Sequence, residues 1–169
     1  VDPSYRLAVF ISEFSPAPFL NRPLAKTMLG WSLEKGASTM ITSMFLPLGE
    51  AEGEQFDVLG VGSTERARER LGACGVRQLD VGMIAGVAGT LLNEGRWAEF
   101  DVICLVARAR PEIPDARAAA RIIETLDKLI PDMQVDVKPL YEEAERIEER
   151  LKLLRKQASP VQPPTNLYV

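Results

Sequence analysis

Short apolar segments of strand type alternate with helical segments along this chain, and this alternation limits the fold more than any other feature. The strand-like segments are 5–12, 38–45, 56–61, 79–84 and 101–107. The predicted helices are 23–35, 65–72, 86–96 and 115–130. Segment 101–107 is a nearly unbroken apolar run, which is typical of a central strand covered on both faces. Strands alternating with helices predict βαβ units, so we expect an α/β domain of three layers, α/β/α, with a mainly parallel sheet.

Composition excludes several classes of function. At 169 residues, with 46% hydrophobic residues, the chain fits one soluble domain. Its net charge of −4 argues against a nucleic-acid partner. It contains no histidine, which excludes Ser-His-Asp and Cys-His catalytic groups and removes the commonest metal ligand. Cys74 and Cys104 form no CxxC pair, so neither a zinc site nor a disulfide framework is indicated. We therefore predict no catalytic residue, no metal and no cofactor.

No membrane segment is expected either. The longest apolar run, 81–92, contains three glycines and is too short to span a bilayer. Residues 1–14 do not have the basic-then-apolar layout of a signal peptide. We therefore expect a cytoplasmic protein without a membrane partner.

Two glycine-containing segments permit either a ligand or a structural interpretation. The cluster Gly82, Gly86, Gly89 and Thr90 precedes and opens a predicted helix, where a phosphate could bind the helix N-terminus. It lacks the Lys-Ser/Thr of a P-loop and does not match GxGxxG, and close packing of helix on sheet explains small residues equally well. Segment 62–64 is similarly either an anion nest or a plain helix cap.

A charged group follows the strongest predicted strand. Glu112 and Asp115 flank Pro114 at the strand end where ligand sites of α/β proteins collect. Arginines at 108, 110 and 117 are near them in sequence. We interpret this group as a surface ion cluster rather than a catalytic carboxylate pair.

The C-terminal part of the chain is expected to form a separate helix and a tail. Across 138–158, apolar residues recur at spacings of three and four as a narrow seam: Leu140, Ala144, Ile147, Leu151 and Leu154. Glu148 and Lys152 are spaced as an i,i+4 ion pair on this helix. Segment 159–169 is proline-rich and ends in Leu167, Tyr168 and Val169. We thus divide the chain into an α/β domain (1–137), an amphipathic helix packed on the domain or on a partner (138–158) and a flexible tail (159–169).

Several of these segments resemble a known family. Segments 86–95, 101–105, 113–120 and 140–150 are similar to the successive signatures of the proteasome assembly chaperone family, second type, as found in archaea. The resemblance implies a nucleoside-phosphorylase-like fold without that enzymatic activity. It also implies homo-oligomers that assist proteasome assembly or act as ATP-independent caps. The family's further N-terminal strand and helix, with a Pro-Gly-x-Gly-Asn turn, have no counterpart here, so this chain either lacks that portion or has a smaller sheet.

The ending also resembles a docking signal. A hydrophobic residue, a tyrosine and one final residue on a proline-rich spacer resemble the tails that dock between α-subunits of the proteasome core particle. The resemblance implies that Leu167, Tyr168 and Val169 are the binding site, with the terminal carboxylate on a pocket lysine. Two alternatives remain open. The tail could be a frayed end or an extra strand, and the protein could be an enzyme or ligand-binding protein related to nucleoside phosphorylases, with its site near 62–63 or 86–90.

Overall fold

A computed structural model describes residues 7–47, 58–110, 114–130 and 133–157; for residues 155–157 it describes the backbone alone. Five α-helices and three strands make up this part of the chain. A 3₁₀ turn at Pro18–Leu20 leads into the first helix. The elements in chain order are α1 (Asn21–Glu34), β1 (Thr39–Pro47), β2 (Leu59–Gly62), α2 (Glu65–Ala73), α3 (Gly86–Trp97), β3 (Asp101–Ala109), α4 (Ala116–Leu129) and α5 (Lys138–Gln157).

The strand β3 lies in the centre of the sheet, in the order β1-β3-β2. It runs parallel to β1, from Thr39 opposite Asp101 to Pro47 opposite Ala109. It runs antiparallel to β2, with Leu59 opposite Val106. The described strands therefore form a mixed sheet: the expected parallel ladder is present between β1 and β3, and β2 adds a shorter antiparallel ladder.

Alternating side chains of β3 build two hydrophobic clusters, one on each face of the sheet. Val102, Cys104 and Val106 pack with residues of α1 and α3. Ile103, Leu105 and Ala107 pack with residues of α2 and α4. Successive residues of a strand point to opposite faces, and here both faces are covered by helices. This explains the unbroken apolar run and confirms 101–107 as a central strand.

Two predicted strands are not found among the described residues. Residues 7–12 have no regular secondary structure. The segment predicted as 79–84 forms no strand; immediately before it, a single bridge joins Gln78 to Gly60 at the edge of β2. The amide of Gly60 donates to the carbonyl of Arg77 and the amide of Leu79 donates to the carbonyl of Gly60. Beyond this bridge come Asp80 and Gly82, both poor strand formers, and the chain turns toward α3.

No helix in the described ranges has both the length and the apolar character needed to cross a membrane.

The two cysteines lie in different environments, which makes their reactivity a test of the fold. Cys104 on β3 is fully buried, and burial raises the pKa of its thiol to about 12. Cys74 follows α2 and is only partly buried, with its Sγ 3.1 Å from the carbonyl oxygen of Lys128. Because the thiolate is the reactive form, we expect iodoacetamide at neutral pH to modify Cys74 in the folded protein and Cys104 only after unfolding. Peptide mass spectrometry measures both. Equal modification rates in the folded state would contradict the position of Cys104.

Candidate functional site at the C-terminal helix

The predicted docking residues Leu167, Tyr168 and Val169, with the proline spacer before them, lie outside the described residues. Glu112 is also outside them. The geometry relevant to the tail is therefore that of α5, the helix from which the tail continues.

One side of α5 packs on α4 through the predicted apolar seam. Ala144 is buried, and Leu140, Ile147 and Leu151 are partly buried. Leu154, predicted to continue the seam, is instead 54% exposed, and its neighbour Leu153 is 60% exposed. The seam thus ends at Leu151, because the last turns of α5 leave the surface on which the rest of the helix packs.

A group of charged side chains fastens the middle of α5 to the domain. We call Arg110, Asp115, Arg117 and Glu148 the helix clasp. Glu148 of α5 accepts a hydrogen bond of 2.7 Å from Nη2 of Arg110 and lies 3.4 Å from Nη2 of Arg117. The carboxylate of Asp115 accepts from the backbone amides of Arg110 (3.1 Å) and Ala118 (3.0 Å). Asp115 therefore caps α4 and also fixes the end of β3, which presents Arg110 to α5.

The clasp confirms the interpretation of this charged group as an ion cluster, as far as the structure describes it. The predicted i,i+4 ion pair between Glu148 and Lys152 is not formed. Glu148 pairs with Arg110 and Arg117 instead. A partly buried guanidinium is a stronger partner than a mobile lysine on the same helix surface, since arginine offers several donors in a rigid plane.

A second polar contact joins α5 to α4 about two turns nearer the start of α5. The hydroxyl of Tyr141 donates to Oε1 of Glu124 at 2.7 Å. The guanidinium of Arg117 lies 6.0 Å from the centre of the Tyr141 ring. Partial burial and the hydrogen bond to Glu124 raise the pKa of Tyr141. Together with the clasp, this contact sets the rotation of α5 about its own axis.

The hydrogen bond from Arg110 lowers the pKa of Glu148, and the charge of Arg117 adds to the effect. A carboxyl group whose pKa is lower in the folded than in the unfolded protein stabilises the folded state at pH values above the unfolded-state pKa. For glutamate the unfolded-state pKa is about 4.3. This contribution is lost as the pH falls through the lower pKa of the folded state. The clasp is therefore intact at neutral pH and is weakened by acid.

The substitution Glu148→Gln is expected to lower the free energy of unfolding by about 1 kcal/mol at pH 7, because the amide carries no charge opposite Arg110 and Arg117. The difference from the unmodified protein should shrink as the pH falls below about 4. Urea unfolding at pH 7 and near pH 3 measures both values. Glu149→Gln, at the neighbouring exposed position, is the matched control and should change little. Equal effects of the two substitutions would show that the clasp contributes nothing specific.

Gly86, Gly89 and Thr90 of the glycine cluster line an open cleft of about 510 Å³ between the beginnings of α1 and α3, whereas Gly82 is not part of its lining. Gly86 adopts a left-handed conformation (φ +68°) at the first residue of α3. A Cβ atom on Gly89 would lie 2.1 Å from the carbonyl oxygen of Ile84, so this glycine is required for packing. On the cleft wall, Nε of Arg22 donates to Glu94 at 2.8 Å. Arg22, the cationic residue among those that line the cleft, is thus already paired with a carboxylate.

Each residue of segment 62–64 has a structural role. The buried hydroxyl of Ser63 donates to the carbonyl of Phe100 (2.9 Å) and accepts from the amide of Val102 (2.8 Å). The hydroxyl of Thr64 accepts from the amide of Ala67 and so caps α2. A Cβ on Gly62 would lie 2.8 Å from the backbone nitrogen of Arg68. These contacts favour the helix-cap interpretation over the anion nest. In the described ranges, no group of three or more Cys, Asp or Glu side chains is placed to hold a metal ion.

Comparison with known proteins identifies the family. The sequence model of the PAC2 family matches residues 2–155, almost the whole described chain. The chain belongs to the PAC2 family. The resemblance seen in segments 86–95 and 113–120 is therefore confirmed. The match ends before the proline-rich tail, so the docking residues remain a prediction.

Among solved structures, the chain is similar to Pyrococcus furiosus PbaA, an archaeal homolog of proteasome-assembly chaperone. The two share 32% identity and a TM-score of 0.79, over 86% of this chain and 60% of PbaA. Pyrococcus furiosus PbaB, an archaeal proteasome activator, shares 25% identity and a TM-score of 0.68, over 85% of this chain and 62% of PbaB. An uncharacterized protein of Methanocaldococcus jannaschii is 31% identical over 88% of this chain and 60% of its own length. The chain thus spans about 60% of the length of these relatives.

The sequence pattern grouped Arg110, Asp115 and Arg117, but it did not indicate that Glu148 of α5 completes the clasp. Glu148 is one of several glutamates at the start of α5, and nothing in its local sequence distinguishes it. Its helical position, three or four residues from Ala144 and Leu151 of the seam, is the signal that could have placed it beside the packed face.

Proposed function

We propose that this protein binds the α-ring of the proteasome core particle through Leu167, Tyr168 and Val169, and acts as an assembly chaperone or ATP-independent activator. The observation that carries the proposal is the similarity over most of the chain to PbaA, described as a homolog of proteasome-assembly chaperone, and to the proteasome activator PbaB. The sequence ending supports the location of the contact.

The tail has the chemistry that a small docking site requires. Tyr168 offers a large rigid ring with a hydroxyl, and Leu167 offers apolar area. The terminal carboxylate of Val169 suits capture by a lysine or by backbone N–H groups. The prolines at 160, 163 and 164 favour an extended spacer of about 3.1 Å per residue. They also limit the conformational freedom that is lost on binding.

We propose that the active species is a cytoplasmic homo-oligomer. Three anchoring residues alone should bind weakly, whereas several tails on one particle raise the apparent affinity by about 10²–10⁴ when they can bind together. The clasp supports this arrangement, because Arg110 and Glu148 hold α5 in one orientation on the domain. Each tail would then start from a defined place on the oligomer.

The experiment that tests the proposal is deletion of residues 167–169, followed by measurement of binding to purified core particle. We expect binding to fall below detection while the circular dichroism spectrum and the mass of the oligomer stay unchanged. Adding one alanine after Val169 moves the carboxylate by one residue and should weaken binding nearly as much. Gln162→Ala, within the spacer, is the control and should bind as the intact protein does. Undiminished binding after the deletion would overturn the tail mechanism.

A second candidate, a ligand-binding protein related to nucleoside phosphorylases, is favoured by the open cleft beside Gly86 and Gly89. It predicts a saturable rise of the melting temperature with phosphate or nucleosides. The paired state of Arg22 and Glu94 weighs against an anion at this place. The absence of any thermal shift with these compounds would remove this candidate.

A further inference from the structure

The apolar contact that joins α5 to the domain is small. Among the described elements, α4 is the one against which α5 packs extensively. Of the α5 side chains at 138–154, Ala144 alone is buried, whereas six consecutive residues of β3, 102–107, are buried. Stabilisation by burial is roughly proportional to the apolar area removed from water. Separating α5 from α4 therefore requires much less free energy than unfolding the sheet.

Two polar contacts also cross from α5 to the domain. Glu148 pairs with Arg110 and Arg117, and the hydroxyl of Tyr141 donates to Glu124. The side chains of Arg110, Arg117 and Glu148 are 34%, 30% and 27% exposed, so water reaches all three. Ion pairs that water and salt can reach are partly screened, which allows them to open and to form again.

Contacts at the start of α5 are local, so they can survive separation of the helix from α4. Asp136 accepts a hydrogen bond of 3.0 Å from the amide of Lys138, the first residue of the helix. Lys138 in turn lies 3.9 Å from Glu142, one turn further on. The amide of Val135 donates to Asp127 of α4, which ties the chain to the domain just before the helix. The geometry therefore places a hinge directly after Val135.

We propose that α5 is a hinged arm held by the clasp, and that it opens from α4 as a unit while the α/β domain stays folded. Glu148 is then a positioning residue, because its pairing with Arg110 and Arg117 keeps the arm closed. Opening breaks the polar contacts of Glu148 and Tyr141 together with the small apolar contact around Ala144.

The consequence for the tails rests on the proposed function. The arm has 20 residues and is about 30 Å long, similar to the reach of the spacer that follows it. Opening thus roughly doubles the radius within which the end of each tail can move. The volume rises about eightfold, so the effective concentration of a second tail at its pocket falls by about the same factor. A closed clasp therefore favours binding by several tails, and an open arm favours release.

Amide hydrogen exchange, followed by mass spectrometry on the full-length chain, tests the opening. A free helix of this length is only marginally stable in water, so its amides exchange when the arm opens. We expect α5 to exchange at least about a hundredfold faster than β3, and to respond much less than β3 to low concentrations of urea. Equal protection and equal urea dependence would overturn the proposal. So would exchange of α5 at the rate of an unstructured chain, since the arm would then never be closed.

The substitution Glu148→Gln tests the role of the clasp in the same measurement. The amide carries no charge opposite Arg110 and Arg117, so opening becomes easier and α5 should exchange about fivefold faster. Glu149→Gln, at the exposed neighbouring position, is the control and should leave the exchange of α5 unchanged. An unchanged rate in Glu148→Gln would show that the clasp does not hold the arm.

The substitution Ala144→Glu tests the consequence for the tails, because a charge at the buried contact with α4 should keep the arm open. Leu153→Glu adds the same charge at a position that is 60% exposed and serves as the control. We expect the first variant to dissociate from immobilised core particle at least about fivefold faster than the second. Equal rates would overturn the effect on the tails. If deletion of 167–169 leaves binding undiminished, the proposed function fails, whereas the exchange result for the arm still stands.

Discussion

Replacing Gly89 with alanine is expected to lower the free energy of unfolding by about 3 kcal/mol, the upper part of the range for overpacking. The added Cβ would lie 2.1 Å from the carbonyl oxygen of Ile84 and 2.8 Å from its carbonyl carbon. These are backbone atoms, so the clash cannot be relieved by turning a side chain. Relief requires α3 to move away from the segment before it, which loosens the contacts of Leu91 and Leu92 with β3.

Gly30→Ala is the matched control for this substitution. Gly30 also lies within a helix, but a Cβ there would meet nothing within 4 Å. Because alanine favours helix more than glycine does, we expect Gly30→Ala to raise the free energy of unfolding by about 0.5–1 kcal/mol. Urea denaturation followed by circular dichroism measures both variants. Similar stabilities of the two variants would contradict the close packing at Gly89.

The same pair of variants separates the two interpretations of the glycine cluster. If Gly89 is present for packing, its replacement lowers stability whether or not phosphate is added. If the cluster holds a phosphate, the loss should appear mainly as a smaller thermal shift with ligand. We expect the first result.

Leu105→Ala is expected to lower the free energy of unfolding by about 3 kcal/mol, within the range of about 2–5 kcal/mol for such truncations. Leu105 is fully buried in the middle of β3, between β1 and β2, and faces the cluster built with α2 and α4. Both neighbouring strands and the helices hold the surrounding atoms in place, so the cavity cannot collapse easily. Urea unfolding measures the loss.

Leu153→Ala provides the comparison, since Leu153 is 60% exposed near the end of α5. We expect it to change stability by less than about 0.5 kcal/mol. A large loss at Leu153 would mean that the last turns of α5 are covered in solution, for example by another copy of the chain. A small loss at Leu105 would contradict the central position of β3.

The elements with strong local patterns were predictable from the sequence. The unbroken apolar run predicted β3, because only a strand with helices on both faces buries every successive side chain. The helices α2 and α4 were predictable from their caps at Thr64 and Asp115, both of which accept the expected amide hydrogen bond. Here the interaction that starts the element lies within three residues, so local sequence contains it.

Elements that depend on a distant partner were less predictable. Segment 79–84 is apolar enough for a strand, but its backbone contact with the sheet is limited to the hydrogen bond from Leu79 to Gly60, beside the bridge at Gln78. Segment 7–12 likewise has the residues of a strand, but no backbone hydrogen bond joins residues 7–11 to another described segment. Strand formation is completed by hydrogen bonds to another segment, so the pattern of one segment cannot decide it.

By itself, the sequence determined the α/β class, the family and the order of the helices, because caps, apolar periodicity and family signatures are local. It also indicated Leu167, Tyr168 and Val169 as the proposed docking residues, through the chemistry of the chain ending. Tertiary structure decided the antiparallel direction of β2, the pairing of Glu148 with Arg110 across 38 residues, and the close approach that requires Gly89. Each of these rests on atoms brought together from separate segments, and their energies depend on distances that no local pattern specifies.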